Sequence, residues 1–171
     1  CTVDVKVDKT IPICGSNNGS TTWTNQNRTI TQNCTDNESG CVSVSKTYTE
    51  SLKEDKITII DGVGNTNTCD VNVYVDKVKP KCSIAFSGTA GLNGWFITDN
   101  VSVNLTKSDV KSENGVSSGI SKYGLSTSSS ASYNEKSSAS QTSRTKGTKW
   151  YGYVEDKAGN VKDCSKTVKL E

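Results

Sequence analysis

Apolar and polar residues alternate in several short stretches of the chain, the clearest of them built on valine. Val71, Val73 and Val75 occupy every second position of Cys69-Asp-Val-Asn-Val-Tyr-Val-Asp76, and Val3, Val5 and Val7 do the same in Cys1-Thr-Val-Asp-Val-Lys-Val-Asp8. A period of two places these side chains on one face, as a half-buried strand requires, so each stretch is predicted to be a strand that buries its valines. Ile57 and Ile59 hold the same phase ahead of Asp61, and Trp150, Gly152 and Val154 hold it ahead of Asp156. Asp61-Gly-Val-Gly-Asn65 and Asp156-Lys-Ala-Gly-Asn160 then read as turns, the aspartate bonding downstream backbone and the second-last glycine accepting a positive φ. Two hairpins are the result. Asp99-Asn-Val101-Ser-Val103-Asn-Leu105, after Trp95, is another alternating strand, and Thr29-Ile30-Thr31, after Trp23, is its weaker counterpart. Seventeen valines against five leucines, in a chain rich in Ser and Thr, suit pleated strands better than helices. The predicted fold class is all-β, with short strands and frequent turns pointing to sandwiches.

The pattern repeats. Cys1 to Cys14 is echoed at the same spacing by Cys69 to Cys82, each run containing Val-Asp-Lys and a proline two residues before its last cysteine, Pro12 or Pro80. A third copy begins at Cys164, and the Asp-x-x-Gly-Asn turn stands at one distance upstream of both Cys69 and Cys164. Such self-similarity marks tandem units. The predicted organisation is a first repeat over 8–76 and a second over 77–171, with 1–7 as the final strand of a preceding repeat. The second repeat carries a long Ser-rich insertion at about 110–149, whose stretch from Ser126 to Thr145 offers too little apolar surface to offset the entropy of ordering, so the insertion reads as a solvated loop or an extra edge hairpin. The joint Asp76-Lys-Val-Lys-Pro80 contains no Gly/Ser run, and its proline holds the preceding residue extended, which predicts a short, stiff connection and an elongated monomer. The chain has no methionine, which reads as a segment excised from a longer polypeptide.

Cysteine arithmetic follows from the repeat, because a bridge present in both copies should join equivalent positions. Cys14 with Cys69, and Cys82 with Cys164, meet that condition. Cys34 and Cys41 occur in the first repeat alone. Aligning Asp36 and Gly40 with Asp109 and Gly119 puts Lys107 and Ile120 at their positions in the second, so both cysteines vanish together and Cys34 is predicted to bond Cys41. Cys1 is left as a free thiol whose partner lies upstream. No C-x-x-C spacing is present to suggest a thiolate metal site. Disulfide dependence on this scale implies an oxidising, extracytoplasmic setting.

Composition narrows the chemistry. With no histidine, Ser/His/Asp and Cys/His machinery is excluded, and no carboxylate spacing points to another catalytic site, so no enzyme is predicted. A net charge of +2 with both signs interspersed gives no basic stripe for nucleic acid. No apolar run approaches the roughly 18 residues of a membrane span.

Val-Asp-Lys-x-x-Pro-x-Cys, Trp before an alternating strand, Asp-x-x-Ser-Gly at Asp36–Gly40 and Asp-x-Ala-Gly-Asn-Val at Asp156–Val161, taken together, resemble the tandem immunoglobulin-like repeats of Gram-positive secreted and cell-surface proteins. The resemblance implies one immunoglobulin-like β-sandwich per repeat. It also implies a non-catalytic structural or spacer role in the extracellular or surface-attached part of a bacterial protein, supporting adhesion or the display of another domain. Neighbouring repeats of the same chain are the implied partners, and no cofactor or metal is assigned. The alternative is an adhesive module that binds a glycan or host ligand through the insertion. Tyr123, Tyr133, Tyr151 and Tyr153 flank that segment, and alternation that turns Trp150, Gly152 and Val154 inward leaves Tyr151 and Tyr153 outside. The two Asp-x-x-Gly-Asn turns and Asp36-Asn-Glu38 offer carboxylates to calcium, but each alone supplies too few of its roughly six to eight oxygens and reads as a structural turn. Six Asn-x-Ser/Thr triplets are no more than this composition gives by chance.

Overall fold

The computed structural model describes residues 1–171. It is all-β, without helix, and divides into two compact units, Cys1–Asp76 and Lys77–Glu171.

The first unit contains β1 (Ile13–Asn17), β2 (Arg28–Thr35), β3 (Val44–Tyr48), β4 (Leu52–Ile60) and β5 (Thr66–Val75). β1, β2 and β3 form one antiparallel sheet in that order, and β4 pairs with β5 in a second. Ile30 and Tyr48 from the three-stranded sheet pack with Ile57, Val71, Val73 and Val75 from the hairpin, all of them buried. The period of two in β4 and β5 is what brings that apolar face to one side. At the hairpin's far edge Thr24 bridges Val75 in parallel, the Trp23 and Tyr74 rings lie 4.8 Å apart, and Arg28 donates to the carbonyls of Ser20 and Val73.

The second unit contains β6 (Lys81–Ser87), β7 (Trp95–Phe96), β8 (Val101–Ser108), β9 (Ile120–Ser126), β10 (Ser138–Gln141), β11 (Thr145–Asp156) and β12 (Val161–Leu170). Its sheets run β10-β8-β6 and β7-β12-β11-β9. Ile84, Val101, Val103 and Leu105 face Leu125, Trp150, Val168 and Leu170 in the core. The registers match between units. Cys14 lies opposite Cys34 as Cys82 lies opposite Lys107, and Cys41 bridges Asp61 as Ile120 pairs with Asp156.

Two expectations differ from the fold. The insertion is neither a solvated loop nor an edge hairpin, since it supplies edge strands to two different sheets. Its first part forms β9, which extends the β11–β12 sheet where the first unit has the single bridge at Cys41. Residues 127–137 then fold back over that sheet. Asn134 donates its amide to the Leu125 carbonyl and accepts from the Leu125 N–H, and the Glu135 N–H donates to the Tyr123 carbonyl. Hydrogen bonds thus order a segment that apolar burial cannot. Ser138–Gln141 adds an edge strand to β8, and its Gln141 side chain is buried, accepting from the Trp150 indole at 3.3 Å. The second difference lies in residues 1–7, which form no strand. Val3, Val5 and Val7 are 82%, 78% and 66% exposed, the corresponding place in the first unit being filled by β5.

Candidate functional site

Two features of the units carry chemistry: covalent bridges between first and last strands, and a convergence of carboxylates at the end where the chain enters the first unit. Cys14 on β1 is bonded to Cys69 on β5, and Cys82 on β6 to Cys164 on β12, each with Cα atoms 5.7 Å apart. Both bridges therefore join one sheet to the other, from the opening strand to the closing strand. Cys34 and Cys41 are bonded around the Asp36–Gly40 turn. Cys1 is exposed and free. Beneath the second unit's bridge lies Gly152, where a Cβ would meet Cys164 Sγ at 2.9 Å, Cys82 Sγ at 3.2 Å and Leu105 Cδ1 at 2.6 Å. A side chain at this point of β11 would displace the sulfurs.

Asp61 opens the turn between β4 and β5. Its Oδ1 accepts from the N–H groups of Val63, Gly64 and Asn65 at 2.7–2.9 Å, and its Oδ2 from the Asn65 amide at 2.7 Å. Gly64, at φ 104°, supplies the left-handed step that lets the backbone curl around the carboxylate. Asp36 organises the neighbouring loop in the same way, its Oδ1 accepting from the N–H groups of Glu38, Ser39 and Gly40 at 2.8–3.0 Å. The two loops are tied together by the Gly62 N–H, which donates to the Gly40 carbonyl at 2.8 Å. Asp8 comes from the segment leading into β1 and accepts from the Thr10 N–H and hydroxyl at 2.9 and 2.7 Å.

Carboxylate oxygens of Asp8, Asp36 and Asp61 lie within 4.8 Å of one another. Their electrostatics follow from their donors. Hydroxyls of Ser39 and Thr10, with the Thr10 N–H, hold the Asp8 carboxyl well below the usual range. Burial works to raise Asp61, but the Asn65 amide and the turn's N–H groups outweigh it and keep that carboxyl low. Glu38 is pushed up by sharing a hydrogen bond with Asp8 and by the Asp8 charge. Three anions drawn together from separate segments repel one another, and they are the side chains of this unit that could hold a divalent cation, with backbone or solvent oxygens completing its shell. In the second unit, Asp156 accepts from the Ala158 and Asn160 N–H groups and the Asn160 amide, while Asp109 accepts from the Gly119 N–H. Oxygens of these two carboxylates also lie within 4.8 Å of each other. Weighing each turn separately missed this meeting, and missed Asp8 altogether. The available signal was that Asp8, Asp36 and Asp61 recur one repeat further on as Asp76, Asp109 and Asp156.

The four tyrosines do not form one platform. Tyr123 packs against the core cluster on the inner face, with Lys107 Nζ 3.7 Å above its ring. Tyr153 does point away from the core, but it is 6% exposed, because the 127–137 segment covers it and its hydroxyl donates to the Ser128 carbonyl. The expectation that Tyr153 faces a ligand is therefore corrected. Tyr133 and Tyr151 remain half-buried, beside Lys122 and Lys149 respectively. Comparison of the sequence with protein-family models and with curated proteins gives no match.

Proposed function

We propose that the chain is a non-catalytic, load-bearing segment of immunoglobulin-like repeats, working as a spacer in a secreted or surface-attached bacterial protein. The observation that carries this reading is the placement of the two long disulfides. In each unit the bridge joins the strand that opens the fold to the strand that closes it. A pull along the chain passes from β1 to β5 through Cys14–Cys69, and from β6 to β12 through Cys82–Cys164, without loading the residues between. The thiols of such bridges stay oxidised outside reducing compartments, which agrees with an extracellular place of work. The converging carboxylates lie at the opening of the first unit, where order in the lead-in segment serves a spacer.

Single-molecule stretching tests the proposal. Under oxidising conditions the unfolding of either unit should release none of the residues enclosed by its long bridge. After reduction, the Cys14–Cys69 and Cys82–Cys164 spans, whose ends are 55 and 82 positions apart in sequence, should add steps of about 190 and 290 Å. Steps of that size in the oxidised chain would rule out a covalent load path.

A further inference from the structure

The two units set a tryptophan against the closing strand in the same way and complete the arrangement differently. In the first, Trp23 precedes Thr24, which bridges Val75 in parallel, and the Trp23 ring rests against Tyr74 with centroids 4.8 Å apart. In the second, Trp95 pairs in parallel with Lys169 and Phe96 with Leu170, so Lys169 stands where Tyr74 stands. Its Nζ lies 6.0 Å from the Trp95 ring centre. The half-buried indole walls a cavity of about 590 Å³ together with Arg144, Thr145, Lys146, Leu170 and Glu171.

Three local features build this cavity. Asn93 and Gly94, at φ 53° and 77°, form the left-handed centre of a turn closed by the Trp95 N–H on the Leu92 carbonyl, which sets the indole at the start of β7. The bulge of β11 is wider than its counterpart in β4. Lys53 alone separates the partners of Val75 and Asn72, whereas Lys146, Gly147 and Thr148 separate the partners of Leu170 and Thr167. Bulges re-aim side chains, and this one brings Lys146 to the cavity. Arg144 occupies the turn between β10 and β11, which the buried Gln141 grips by donating its amide to the Ser143 carbonyl at 2.9 Å. Arg144, Lys146 and Lys169 thus surround one indole, and none of the three is engaged in a salt bridge. Glu171 is the one carboxylate side chain among the lining residues.

We propose that the cavity at Trp95 binds an acidic sugar residue. The indole takes the C–H face of the pyranose ring, Arg144 pairs its guanidinium with the sugar carboxylate, and Lys146 and Lys169 meet further negative charge along the saccharide. An aromatic wall ringed by cations suits a ligand that is apolar on one face and anionic at its edge, which a uronic acid is and an inorganic anion is not. The oxidising setting implied by the disulfides is one where saccharides are met more than nucleotides. None of the four tyrosines lines this cavity, and the first unit, where Tyr74 covers the equivalent indole, has no such site. The inference goes beyond the spacer role and does not rest on it, so the stretching experiment and the titration below can fail separately.

Titrating the full chain with hyaluronan tetrasaccharide, which alternates glucuronate with N-acetylglucosamine, tests the site by tryptophan fluorescence and calorimetry. Chitotetraose, ADP and pentaglutamate serve as neutral, nucleotide and peptide comparators. The tetrasaccharide should change the emission and bind with a Kd about tenfold or more below that of each comparator, the carboxylate–guanidinium pair supplying the difference. Raising NaCl from about 50 to about 500 mM should weaken it severalfold. Arg144, exposed on its turn, can be replaced without touching the core, and Arg144→Gln should raise the Kd about tenfold. Lys169→Tyr copies the first unit's arrangement. It should close the indole face and abolish binding while the Cys82–Cys164 bridge and the melting midpoint stay as in the parent. Absence of any response to the tetrasaccharide overturns the proposal, as does equal affinity for chitotetraose, ADP or pentaglutamate. So does parental affinity in both the Arg144→Gln and the Lys169→Tyr variants.

Discussion

Asp61 accepts four hydrogen bonds within its own turn, so one carboxylate fixes the path from β4 to β5. Those bonds, and the ones to Asp8, hold both carboxyls below their ordinary values in the folded state. The folded chain therefore binds these protons more weakly than the unfolded chain does. The stability they contribute is present above the ordinary carboxylate range and is lost as pH falls through that range toward the lowered folded values. Glu38, raised by Asp8, works in the opposite direction and offsets part of the effect. Thermal melts of the first unit should accordingly fall as pH drops from 7 to 3. Asp61→Asn, which keeps an acceptor but no titrating charge, should melt lower at pH 7 and show a shallower pH dependence. An unchanged slope would show that other carboxylates govern acid unfolding.

Hairpin edges and inserted strands make the difference between the two units. Gly124 on β9 lies directly under the returning segment, where a Cβ would come within 1.8 Å of the Ser132 carbonyl oxygen, a clash that backbone cannot relieve by a rotamer change. Gly124→Ala should lift residues 127–137 off the sheet, uncover Tyr153 and open the Lys136 peptide bond to trypsin, which limited digestion of variant and parent would detect. Much of the strand arrangement was legible in the sequence. β4, β5, β8, β11 and β12 carry apolar side chains at a period of two, and that period directly reflects one wet and one dry face. β10, Ser-Ala-Ser-Gln, has no such face. It is held by backbone pairing to β8 and by one buried glutamine, neither of which leaves a hydropathy signal. Tyr153 was misplaced for a related reason: alternation gives the face of a sheet but not what later folds over it. The meeting of Asp8 with Asp36 and Asp61 joins residues far apart in sequence, and a reading of single turns cannot supply it.

At the scale of the whole molecule, bridges carry much of the stability of units with small cores. By the chain-entropy argument, closing the 55-residue span of Cys14–Cys69 contributes about 4 kcal/mol and the 82-residue span of Cys82–Cys164 about 4.5 kcal/mol, against about 2.4 kcal/mol for the 7-residue span of Cys34–Cys41. Urea titrations of paired Cys→Ser variants should rank the losses in that order within the first unit, Cys14/Cys69 costing more than Cys34/Cys41. Equal losses would mean that native-state contacts, and not the unfolded chain, set the value of the bridges. The bridge from first strand to last also makes the polypeptide tolerant of damage. A protease that cuts once between Cys82 and Cys164, at Lys136 for example, leaves both fragments fastened to each other and to everything on either side. Severing what this chain connects takes a cut outside the bridged spans, in short runs such as Lys77–Lys81, or a reductant acting together with the protease.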